Sequence, residues 1–166
     1  MKHSRVIGID PGVTGAIALL QNGNYQGVWD MPVITDSNGK KTPSGHALAV
    51  LLRDHKPDLL VIEKVNAMPR APGKDGKRRT MGAQSMFNFG RGFGVIDAST
   101  QILKLPTVYV TPAVWKRKCG LINAKKAIHR ELATDLFPQA ASELRLKKHH
   151  GRADAVLIAR HGHRFW

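Results

Sequence analysis

Arg5-Val6-Ile7-Gly8-Ile9-Asp10-Pro11-Gly12-Val13-Thr14-Gly15-Ala16-Ile17-Ala18-Leu19-Leu20 is two short apolar runs joined by a proline- and glycine-containing turn. Residues 5–9 and 16–20 both predict buried strands. Asn22-Gly23 follows at once and tolerates the positive φ that a two-residue hairpin needs, so a third strand from Tyr25 to Met31 should fold back on the second. Leu59–Ile62 and Thr107–Val110 predict two more short strands, of the kind found in sheets covered on both faces.

Helices are predicted between and after them. Ser44 can cap one that packs through Leu48, Leu51 and Leu52 and stops before Pro57. Thr80 can cap a long one reaching about Leu103, with Met86, Phe89, Phe93 and Ile96 along one stripe. Thr111-Pro112 reads as a cap and first-turn proline for a short helix to Lys118. Asn123 should open another, with Ile128, Leu132 and Leu136 at four-residue spacing, and a last helix should run from about His150 to Arg160. The order β-β-β-α-β-α-β-α, with one short helix inserted, predicts an α/β fold: a mixed five-stranded sheet with helices on both faces. Asp36 to Lys41 reads as a polar loop, and Pro69 to Arg79 as a basic, glycine-containing segment, either a solvated surface loop or a flap that meets a polyanion.

The 166 residues fit a single domain, 1–166, large enough to fold without a disulfide or metal staple. The one cysteine, Cys119, excludes an internal disulfide framework and suits a reducing compartment, either the cytoplasm or a nucleoid or organellar DNA compartment. No secretory signal or membrane-length apolar run is visible. Lys and Arg number 26 against 12 acidic residues, for a net charge of +14. That excess favours a polyanionic partner, chiefly nucleic acid.

Three carboxylates stand where a solvated surface charge would not. Asp10 ends the first strand, where an aspartate before Pro-Gly is as often a turn former as a functional group. Glu63 closes the apolar strand Leu59–Ile62, and a salt bridge to Lys64 is its bland explanation. Asp154 lies in Arg152-Ala153-Asp154-Ala155-Val156-Leu157-Ile158-Ala159, apolar almost all round, where a carboxylate needs a metal or an ion pair with an arginine.

Five pieces in order resemble the RuvC family of Holliday-junction resolvases: Gly8-Ile9-Asp10-Pro11-Gly12, Val61-Ile62-Glu63, the glycine-rich helix Gly82 to Ser99, Thr111-Pro112, and His149 to Ala159. The resemblance implies an RNase H-like domain acting as a homodimer. It implies paired nicking of branched DNA with two Mg²⁺ or Mn²⁺ ions per site and no small-molecule cofactor. It places the metal ligands on Asp10, as the bridging group, on Glu63 and on Asp154. Such chemistry suits hard oxygen ligands around two ions about 3.5–4 Å apart.

Two positions depart from the family pattern. A fourth acid three residues before Asp154 is replaced by Gly151, and His150, one helical turn before Asp154, can serve as the substitute ligand or base. His149 should point elsewhere. Asn66 stands where many relatives carry an aromatic wedge. DNA contacts are expected at Lys77, Arg78 and Arg79 in the flap, and at Lys116, Lys118 and Lys125. Gly82, Gly90, Gly92 and Gly94 each cost about 1 kcal/mol in a helix, which close packing across a dimer axis or against the protein's own sheet would explain. With one cysteine, a structural zinc site is not expected.

Asp10 to Gly15 also resembles the phosphate loop of the actin and sugar-kinase superfamily, but two such lobes need a chain roughly twice as long. The closer rivals are an RNase H-fold nuclease for RNA or RNA–DNA hybrid and a binding protein that does not cut.

Overall fold

In the computed structural model, residues 3–64 and 82–165 are described. The five main strands are β1 (Arg5–Asp10), β2 (Ala16–Gln21), β3 (Asn24–Asp30), β6 (Leu59–Glu63) and β7 (Thr107–Val110). They lie in the order β3-β2-β1-β6-β7, antiparallel among the first three and parallel from β1 through β6 to β7. This is the mixed sheet expected. Asn22 and Gly23, at φ 51° and 80°, make the turn between β2 and β3.

Alternation along the strands splits the core in two. Ile7, Ile9, Ile17, Leu19, Leu60 and Ile62 face one side, against Leu48 and Leu52 of α1 (Gly45–His55) and Ile96 of α2 (Ala83–Ile102). Val6, Ala16, Ala18, Leu20, Leu59 and Val61 face the other. There they meet α3 (Pro112–Lys118), α4 (Lys126–Leu136), α5 (Ala141–Leu144) and α6 (His150–Phe165). Ser44 caps α1 through a 3.3 Å hydrogen bond from the Ala47 amide to its Oγ.

Several expectations are corrected. Asp36 to Lys40 form a polar loop as expected, but Lys41 opens a strand, and the loop joins the paired strands β4 (Val33–Thr35) and β5 (Lys41–Pro43). Asp36 Oδ1 accepts from the amides of Asn38 and Lys40, so the side chain closes the turn. α4 starts at Lys126 rather than at Asn123, which sits in the left-handed region at φ 60°. On that helix His129 and Ala133 are buried while Ile128 is 44% exposed, so the core face is one residue away from the apolar spacing. α6 continues to Phe165. The N-terminal half of α2 packs little: Met86 is exposed and Phe87 is 67% exposed, and burial begins at Gly92. α2 starts at Ala83 with Gly82 at its N-cap, so Thr80 is not the cap. Thr80, Asn66 and the flap from Pro69 to Arg79 lie outside the described residues.

Candidate active site

Strand register builds the first half of the site. Ile9 of β1 pairs in parallel with Ile62 of β6, so the next residues, Asp10 and Glu63, end adjacent strands side by side. Alternation from Val6 and from Leu59 and Val61 aims both carboxylates at the face covered by α6. α6 crosses β1 with unusual closeness. A Cβ at Gly8 would stand 2.3 Å from both the Ala155 carbonyl oxygen and the Ala159 nitrogen. At its start, a Cβ on Gly151 would stand 2.6 Å from the Thr14 carbonyl oxygen and 3.1 Å from Asp10 Oδ2. Asp154, 2% exposed, faces this strand end one turn further on.

The three carboxylates feel one another. Burial raises the Asp10 pKa well above the ordinary aspartate value, and the charges of Asp154 and Glu63 add to the rise, against Lys126 and Lys116. Burial likewise raises Glu63, with Lys116 opposing and Asp154 reinforcing. The buried Trp115 indole N–H faces Glu63 but makes no well-formed hydrogen bond. Asp154 goes the other way. Burial pushes it up, but His129 and Lys126 outweigh that and hold it below the usual range. Lys126 Nζ donates to Asp154 Oδ2 at 2.8 Å, and His129 Nδ1 lies 2.5 Å from Asp154 Oδ1. The alternative to a metal at Asp154, an ion pair with an arginine, is replaced by contacts with a lysine and a histidine.

Among the described residues, no three His, Cys, Asp or Glu side chains converge tightly enough to hold an ion as they stand. The donor set nonetheless fits a hard divalent cation, because two crowded oxygen donors carry a mutual repulsion that such a cation would relieve. His150 fits beside them. Its Nδ1 is buried without a hydrogen-bond partner, and burial and then the nearby Lys126 lower its pKa, keeping the ring neutral. His149 lies elsewhere: its Nδ1 accepts from the Leu146 amide at 3.4 Å, and its charged neighbours include Arg152, Lys148 and Asp30.

Of the lysines singled out, Lys116 lies near Asp10 and Glu63. Lys118 sits over the Phe165 ring at the far end of α6, and Lys125 is exposed at the N-cap of α4. Lys126 and His129 were missed. Lys126 differs from Lys125 by one helical position, which composition does not reveal. His129 on the buried face of α4, T-shaped against Trp115, is the signal that could have been read. Lys77, Arg78 and Arg79 lie outside the described residues.

No family model matches the chain. Over 146 residues it is 35% identical to the chloroplastic Holliday junction resolvase MOC1 of Chlamydomonas reinhardtii, covering 80% of this chain and 17% of that protein. In structure it resembles RuvC of Thermus thermophilus, with a TM-score of 0.53 at 17% identity over 94% of this chain and 91% of that one. The chain is a sequence relative of a Holliday junction resolvase and carries the RuvC fold. The yeast mitochondrial resolvase Ydc2 is similar too, with a TM-score of 0.52 at 12% identity over 97% of this chain and 78% of that one. The chain spans about a sixth of the length of the curated relative, 17%. On this RuvC fold, the residues at the ends of β1 and β6 and in the first turns of α6 make up the candidate centre.

Proposed function

We propose that the chain is a structure-selective endodeoxyribonuclease that resolves Holliday junctions or other branched DNA by paired nicking, as a homodimer and with two Mg²⁺ or Mn²⁺ ions per site. The carrying observation is that Asp10, Glu63 and Asp154, from two strand ends and one helix, lie within electrostatic reach of one another, with two of the three pushed toward protonation. Sequence kinship with the MOC1 resolvase supports the choice of junction DNA over RNA or hybrid. The chloroplastic location of that relative supports a DNA-holding compartment for this chain.

Asp10 would bridge the ions, with Glu63 on one and Asp154 and His150 on the other. Bound there, they would supply an activated water and neutralise charge on the leaving 3′-oxygen. Asp154 must first give up Lys126. That lysine, 55% exposed in its side chain, is then free to approach the scissile phosphate. Lys116, over the Trp115 ring, presents a second cation at the same strand end. Neither lysine can be replaced by a neutral group without losing attraction for the substrate.

The test is single-turnover nicking of a four-way junction, beside duplex, flap and hybrid controls. Asp10→Asn, Glu63→Gln and Asp154→Asn should each slow nicking by on the order of 10²-fold or more while junction binding persists. Any one of them nicking at a near-normal rate in Mg²⁺ removes that residue from the site. Preference for the hybrid over the junction would favour the rival nuclease.

A further inference from the structure

The β4–β5 hairpin is a part of the fold that the carboxylate centre does not use, and with α2 it flanks the turn that follows Asp10. A groove of about 300 Å³ runs between the hairpin and the first half of α2, lined by Gly12, Val13, Lys40, Lys41, Ser85 and Asn88 among others. Gly12 and Val13 lie in the turn after β1, so one wall of the groove is the loop that leaves the strand carrying Asp10.

Its walls are held in place. The turn is tied by Asp36, and Pro43 at the end of β5 packs onto Gly92 of α2, where a Cβ would come within 3.1 Å of the proline ring. Lys40 Nζ donates to Asn88 Oδ1 at 2.5 Å, and Gln84 Nε2 donates to the same oxygen at 3.1 Å. An amide oxygen orients the ammonium but leaves its charge uncompensated. Among the described residues, no ion pair involves either Lys40 or Lys41. Two unneutralised cations on a rigid turn, with the Ser85 hydroxyl and the Asn88 amide opposite, suit the oxygens of a phosphodiester backbone.

We propose that this groove binds a DNA backbone beside the turn that follows Asp10, with Lys40 and Lys41 on its phosphates. The proposal rests on the nuclease reading above and names a contact surface beyond it. The occupant is a nucleic-acid backbone rather than a second copy of the chain, because a copy would bring another +14 charge to a cationic face.

The experiment measures junction affinity in EDTA across a range of salt for wild type, Lys40→Gln/Lys41→Gln, and Lys56→Gln/Lys104→Gln, a control pair away from the groove. The hairpin variant should bind roughly tenfold more weakly at 0.1 M salt, with a log–log salt slope shallower by about 1 to 2. The control pair should keep the wild-type slope, and Lys40→Arg/Lys41→Arg should restore it. A misfolded fraction lowers amplitude without changing slope, so loss of folding does not imitate the result. An unchanged slope overturns the proposal, as does an equal change in the control pair, which would report net charge alone. Conversion of a dimer to a monomer with an unchanged slope would give the face to a partner copy and also overturn it. Wild-type protein that neither binds nor nicks a junction would end the nuclease reading itself.

Discussion

Asp10 is crowded by two carboxylates at a place where water is largely excluded, so without a cation its charge works against folding. Asp10→Asn removes that charge and keeps the shape. In metal-free buffer the variant should be more stable than wild type by about 1 kcal/mol, which moves Tm up by roughly 2–4 °C in a domain this size. A lowered melting point would show that the carboxylate is structurally satisfied and not a poised ligand. At Gly151 the structure explains why the family's fourth acid is missing here, since any Cβ meets the Thr14 carbonyl oxygen. Gly151→Asp should therefore lose about 1–3 kcal/mol in thermal melts rather than improve the site. The compensating group is expected at His150, whose buried Nδ1 lacks a partner. His150→Ala should slow nicking steeply and His149→Ala little, and equal rates would end the ligand assignment. At this scale Asp10, Glu63 and Asp154 were legible because each ended or interrupted an apolar run. His129 was not, because a histidine in a helix of mixed charge looks like one more solvated side chain until its neighbours are known.

Elements were legible wherever a side chain or turn marked them. Ser44, Asn22-Gly23 and Thr111-Pro112 each announce a boundary, and each stands there in the structure. The β4–β5 hairpin escaped because Asp36, Asn38 and Gly39 are loop formers by composition, while the pairing depends on Asp36 accepting two amides. The close crossing of α6 over β1 escaped as well. Gly8 reads as part of a motif, and only the backbone of Ala155 and Ala159 above it shows why nothing larger fits. Gly8→Ala must push the helix off the strand and displace Asp154 from Asp10. We expect a loss of about 3 kcal/mol and a Tm lower by roughly 6–12 °C, with nicking falling further than stability alone explains. On α2, Gly92 packs against Pro43 of the same chain, while Gly82, Gly90 and Gly94 face open space. That leaves the exposed Met86 and Phe87 with the face expected to meet a partner copy. Phe87→Glu should shift sedimentation from dimer to monomer, and a wild-type protein that is monomeric both free and on junction DNA would defeat the dimer.

For the whole molecule, a basic chain places three of its 12 acids at one end of a sheet, and the balance between those acids and its buried histidines contributes to its response to pH. Asp10 and Glu63 have raised pKa values, so the stability they lend by taking up protons is complete in acid and is lost as pH rises through their folded values. His149, His150 and His161 have lowered values, chiefly through burial, so the unfolded chain takes up their protons first and stability falls as pH drops below about 6.5. In metal-free buffer the two groups pull stability in opposite directions between neutral and mildly acidic pH. A divalent cation alters the carboxylate side and, through His150, one member of the histidine side. At ten times its dissociation constant it should add about 1.4 kcal/mol at pH 8, where the ligands are charged. The gain should shrink toward pH 5, because protonated carboxylates and imidazolium do not ligate. Thermal melts with and without Mg²⁺ and Mn²⁺ across that range measure the gap directly, without DNA and without turnover. Asp10→Asn should show almost no gap at any pH. A gap that is the same at pH 5 and pH 8, or that survives in the variant, would place the cation away from these carboxylates and take two-ion hydrolysis from this strand end.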